Sequence, residues 1–167
     1  MRLIIMALIS LTSIPSTGKI MESLELRELY YNAHSGKEAA NKFFRAMDNL
    51  KTEQDPVVIC YRGMSWLMMA SHTVNPFTRW ADFCKGKDLI EQAINKEPGN
   101  VEMRFLRFCI QTNIPAFLSY HSSEETDKKM MIKEWHNITD KDLKIRIRNY
   151  LVQSGHCSKI EKKVFYE

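Results

Sequence analysis

The run Gly86-Lys87-Asp88-Leu89-Ile90-Glu91-Gln92-Ala93-Ile94-Asn95-Lys96-Glu97-Pro98-Gly99-Asn100 decides the fold. Leu89, Ile90, Ala93 and Ile94 recur at helical spacing with charged residues between them, so they make one apolar stripe on a helix. Pro98, Gly99 and Asn100 are consecutive turn formers and end that helix sharply. Upstream, Asn75-Pro76 offers an N-cap followed by a first helical residue, which extends the expected helix over 76–96. Phe77, Trp80, Ala81, Phe83 and Cys84 lie in its first half, and Gly86 marks a place to break or bend it. Downstream, residues 101–112 are apolar almost all round (Val101, Met103, Phe105, Leu106, Phe108, Cys109, Ile110), the pattern of a central helix.

Further outward the same grammar repeats. Asp55-Pro56 opens a helix over 56–71 with Val57, Cys60, Tyr61, Met64, Leu67 and Met68 on its inner face. Gly63 interrupts it at a cost of about 1 kcal/mol relative to Ala, which suits a place where a neighbouring helix comes close. A first helix is expected over 23–33. Ser35 and Glu38 have capping-box spacing for a second, with Ala40, Phe43, Phe44, Met47 and Leu50 inward. After Asn113-Ile114-Pro115 a short helix is expected over 115–121. A polar helix follows over 123–136, packing through Met130, Met131 and Trp135. Thr139 and Asp142 repeat the capping-box spacing before a last helix with Leu143, Ile147, Tyr150 and Leu151, stopped by Gly155. Residues 156–167 read as a charged tail that frays. No stretch alternates with period two, so the fold class is all-α: antiparallel helix pairs joined by short turns.

Composition agrees. The chain has 167 residues, enough for one core that needs no metal or disulfide. Only 6 Gly and 5 Pro are present, which favours few turns and many helices. The net charge of +4 comes from interleaved charges, such as Lys128, Lys129 and Lys133 among Glu124, Glu125, Asp127 and Glu134. That pattern reads as a solvated helix face and gives no footprint for nucleic acid. Cys60, Cys84, Cys109 and Cys157 form no close pair, so they read as free thiols.

The amino terminus carries Arg2, an apolar run over 3–11, and small polar residues up to Gly18. That order fits a signal peptide over 1–18, cleaved before Lys19, with a periplasmic or otherwise exported product. The run is shorter than the roughly 20 apolar residues a membrane anchor needs, so no stable membrane insertion of the mature chain is expected. A first core helix fits the same residues, and the protein then stays cytoplasmic. The helical domain is expected over 19–155.

On the residues of the opening run, a family resemblance emerges. Gly86, Ile90, Ala93 and Pro98 stand at the offsets of the second helix of a tetratricopeptide repeat, and Ala40, Phe44 and Met47 match them one unit earlier. Gly63 and Trp66 match the first-helix pair loosely, and residues 72–82 lengthen the unit. The resemblance covers residues 23–112 and implies a short, irregular, tetratricopeptide-like right-handed superhelix. Asn75-Pro76-Phe77, Lys85-Gly86-Lys87 and Arg104-Phe105-Leu106-Arg107-Phe108 also resemble small exported helical proteins of Bacteroidota, a likeness that implies no activity.

No catalytic, cofactor or metal motif stands out. His34, His72, His121, His136 and His156 show no metal spacing, and no phosphate-binding glycine loop is present. His121 with Glu124 and Glu125 is the best local cluster. Asn137-Ile138-Thr139 has the spacing of a glycosylation acceptor, which by chance is common. The unusual feature is Arg104 with Arg107, three residues apart on one face of an apolar helix. Such residues form structural ion pairs, for instance with Glu97 or Glu102, or else face a groove that receives a carboxylate. The groove reading makes the chain a non-enzymatic interaction module for a protein or peptide partner, with Tyr61, Trp66, Arg104, Arg107, Asn113 and Tyr120 as binding residues and no cofactor. A small-ligand binder or enzyme is the alternative, and it requires titratable groups such as His121, Glu124 and Arg104 to converge in an enclosed pocket.

Overall fold

Side-chain caps fix where the long helices begin. In the computed structural model, which describes residues 23–50 and 54–166, Asp55 accepts from the Val57 and Val58 amides and starts α3 (Pro56–His72). Asn75 accepts from Phe77 and Thr78 and starts α4 (Pro76–Lys96). Asn100 accepts from Met103 and starts α5 (Val101–Gln111). Before them come α1 (Ser23–Asn32) and α2 (Lys37–Asn49). After them come α6 (Glu124–Lys133), α7 (Lys141–Gln153) and the short α8 (Lys159–Lys163). Short 3-10 turns lie at Ala33–Ser35, Ala116–Leu118 and Trp135–Asn137. All regular structure among the described residues is helical, with no strand among them. The reading of residues 1–18 as a signal peptide lies outside the described residues. No described helix is long and apolar enough to cross a membrane.

Helices α3 and α4 form the most extensive pair. A Cβ added to Gly63 would lie 2.7 Å from the Gly86 carbonyl oxygen, and one added to Gly86 would lie 2.7 Å from the Gly63 carbonyl oxygen. The backbones therefore touch where both side chains are missing. Gly86 neither breaks nor bends α4 into two helices; it makes room for the crossing.

Two cores result, and α5 serves both. Met103 and Leu106 join the core built by α1–α4. Phe105 and Phe108, on the other side of α5, join Met131, Trp135, Leu143, Ile147 and Leu151. The tail belongs to this second core and does not fray: Phe165 is buried, its ring edge-on to Trp135 at 4.9 Å. Ser158 and Glu161 form the capping box that starts α8. The two boxes expected elsewhere do not form. Ser35 donates to the Asn32 carbonyl, leaving Gly36 at φ 147° to start α2. Asp140, one residue after Thr139, caps α7 through the Leu143 amide.

Candidate functional site

Helix α5 carries an acid near its start and a base further along, and each organises a buried ion cluster. Glu102 accepts from Arg27 Nε at 2.8 Å, from Arg27 Nη2 at 2.7 Å and from the Tyr61 hydroxyl at 2.7 Å. Arg27 also pairs with Asp140 at 2.8 Å and Asp142 at 3.1 Å, and Arg146 pairs with Asp142 at 2.8 Å. Burial alone would lower the Arg27 pKa; hydrogen bonds to Glu102 and Asp140 outweigh it and raise it. Donation from Arg27 holds Asp140 below the usual carboxylate range. Donation from Arg146, then from Arg27, does the same for Asp142.

The second cluster centres on Arg107. Its Nε and Nη2 each lie 2.8 Å from an oxygen of Asp127, a two-pronged pair, and its Nη1 lies 2.7 Å from Glu91. Arg104 reaches the same Asp127 at 2.9 Å, and the Tyr120 hydroxyl donates to Glu91 at 2.6 Å. Asp127 is fully buried, so this part of α6 is not the solvated face its charge pattern suggests. The partners expected for the two arginines also differ: Asp127 and Glu91 take them, Glu102 goes to Arg27, and Glu97 bonds Asn100.

These clusters account for most of the residues expected in a groove. Tyr61, Arg107 and Tyr120 are buried and bonded inside the protein. Trp66 lies elsewhere, edge-on to Phe44 at 4.7 Å and covered by the Lys85 ammonium at 3.8 Å. Tyr61, Trp66, Arg104 and Arg107 therefore do not line one exposed groove. Asn113 is exposed and donates to Tyr150 Oη at 2.6 Å.

Asn113 is also the one of the six that borders a cavity of about 650 Å³. Met64, Leu67 and Met68 of α3 form one wall, and Trp80 and Phe83 of α4 another. Ile110 of α5, with Ile114 and Phe117 beyond it, closes a third side, and Tyr30 and His34 reach in from α1 and the turn after it. The rim is aromatic and open: Trp80 is 54% exposed and Phe117 82%. Arg79 stands at this rim and donates through Nε to the Thr73 carbonyl at 2.8 Å. A second cavity of about 540 Å³ borders Arg27, Glu102 and Asp140, whose charges are already paired.

The set expected of an enzyme, His121 with Glu124 and Arg104, does not meet in either cavity. His121 bonds Glu124 at 2.7 Å, Arg104 is held by Asp127, and none of the three lines the cavities described. No group of three or more potential metal ligands converges among the described residues, and the four cysteines are free thiols. Sequence reasoning missed Arg79 and assigned Phe77 and Trp80 to packing, because helical spacing places them on the same face as Phe83 and Cys84. Comparison with family models, curated proteins and solved structures finds no match to this chain.

Proposed function

We propose that this chain is a non-catalytic binding module whose site is the apolar cavity between α3, α4 and the end of α5, and that an apolar group of the ligand fills it. The cavity itself carries this reading. Its volume of about 650 Å³ lies within the ~300–1,000 Å³ span of small-ligand sites, and its walls are Met, Leu, Ile and aromatic side chains. The buried carboxylates and their arginine partners lie in ion clusters away from it. The scaffold belongs to the same proposal: a short, irregular, tetratricopeptide-like right-handed superhelix. The inward burial of Gly86, Ile90 and Ala93 at their repeat offsets supports it, as does the close crossing at Gly63. An exported, periplasmic location is also proposed, resting on the residue order over 1–18 alone.

Isothermal titration with decanol, a neutral ten-carbon chain, tests the site. Saturable one-to-one binding that Met68→Trp abolishes by filling the cavity is the expected result. Binding unchanged in a folded Met68→Trp protein removes the cavity from consideration.

One observation favours a second reading, in which a protein or peptide partner supplies the apolar group. Val74, Phe77 and Phe117 are each more than 80% exposed, Phe117 at the cavity itself, and large apolar side chains left in solvent are surface a partner can cover. That reading predicts that Phe77→Ser with Phe117→Ser loses a co-purifying partner while decanol still binds.

A further inference from the structure

The charge at the mouth of the cavity narrows the ligand. About a quarter of the chain is charged (26%), yet no Asp, Glu or Lys lines this cavity. Arg79 is its one permanently charged lining residue. Its Nε is tied to the Thr73 carbonyl, which fixes the guanidinium at the rim, and no described carboxylate pairs with it. Arg62 likewise donates to backbone carbonyls, those of Met47 and Leu50, but it does not line the cavity; the arginines of the two ion clusters differ. Arg27, Arg104, Arg107 and Arg146 all have carboxylate partners within 3.1 Å. An unpaired guanidinium offers parallel N–H donors suited to a planar or tetrahedral oxyanion. Below it the walls are apolar, and Trp80 and Phe83, stacked with ring centroids 5.7 Å apart, form a flat side against which a chain can lie.

We infer that the cavity takes a single-chain anionic amphiphile: an alkyl chain among Met64, Met68, Phe83 and Ile114, with one oxyanion head on Arg79. This rests on the reading of the cavity as the ligand site. Carboxylate and phosphate heads share the chemistry that Arg79 recognises, so the head group is left to the experiment. Arg79 acts here as a binding residue that selects charge, while the chain supplies affinity by leaving water.

The test is titration of the full chain with four ten-carbon probes below their micelle concentrations: decanoate, decyl phosphate, decanol and decyltrimethylammonium. At least one anion is expected to bind tenfold or more tightly than decanol, and the ammonium more weakly than decanol. The tighter of the two anions identifies the head. Arg79→Gln should bring the anions down to the level of decanol without changing decanol binding, and Arg79→Lys should keep part of the preference. Affinity should rise about fourfold per added methylene until the cavity is full. Since Arg79 is exposed, its variants should melt like the parent protein. Equal binding of all four probes would leave the cavity as a site and overturn the anionic preference. So would an anion preference that survives Arg79→Gln. No binding of any probe would overturn both the site and its ligand.

Discussion

Asp127 shows what a single residue can hide. It lies in a run of alternating charges, and its type gives no sign of burial. Yet it precedes Met131 by four residues, so both fall on the face of α6 that meets α5, and both are fully buried. That spacing was the available signal; the sign and number of the charges were not. Once buried, Asp127 needs its two arginines. Asp127→Ala should leave Arg107 with only Glu91 and cost about 3–5 kcal/mol in urea unfolding, because a charge is left inside without its main partner. Replacing both members with apolar residues of similar size, Arg107→Met with Asp127→Leu, should recover much of that loss. A loss under 1 kcal/mol for the single change would mean that the pair is solvated.

The other cluster sets the acid response. Asp140 and Asp142 have folded pKa values below those of an unfolded chain, about 3.9. Their contribution is therefore fully present above pH 4 and disappears as pH falls through the lowered folded values. Both side chains are partly exposed, which keeps the contribution modest. Stability measured against pH should fall below about pH 4, and Asp142→Asn should flatten that fall. An unchanged acid limb in this variant would remove Asp142 from the account.

At the scale of elements, boundaries were readable wherever a cap had no competitor. Asp55 and Asn75 act as their positions suggest, and Asn100, read only as a turn former, also caps α5. Ser35 and Thr139 do not, for local reasons: the Ser35 hydroxyl is donated to Asn32, and the Asp140 carboxylate is the better acceptor beside Thr139. The tail was misread because its charges mask Cys157 and Phe165, whose burial depends on a partner core far away in sequence. The α3–α4 crossing gives the sharpest test of an element. Propensity alone favours Ala over Gly by about 1 kcal/mol in a helix interior. Gly86→Ala should nevertheless destabilise the protein by about 1–3 kcal/mol, since its Cβ meets backbone at 2.7 Å, which cannot yield as a flexible side chain does. Gly63→Ala should act alike, and the double change should cost less than the sum, since one separation of the helices relieves both. A stabilised Gly86→Ala protein would contradict the close crossing.

At the scale of the molecule, the all-helical class and the central place of α5 were legible from periodicity. The cavity was not. Spacing identifies which face of a helix turns toward its neighbours; it does not show where neighbouring helices part and leave space between them. Trp80 therefore reads as a packing residue and Phe117 carries no signal, and only the assembled helices show the two around an opening. The central claim, that this opening receives an apolar chain, is tested most directly by methyl NMR of the methionines during titration with decanol. The account predicts saturable shifts of the Met64 and Met68 methyl resonances, which line the cavity, with Met131 in the second core unmoved. Shifts that never saturate, or that leave Met64 and Met68 unchanged while others move, would contradict it.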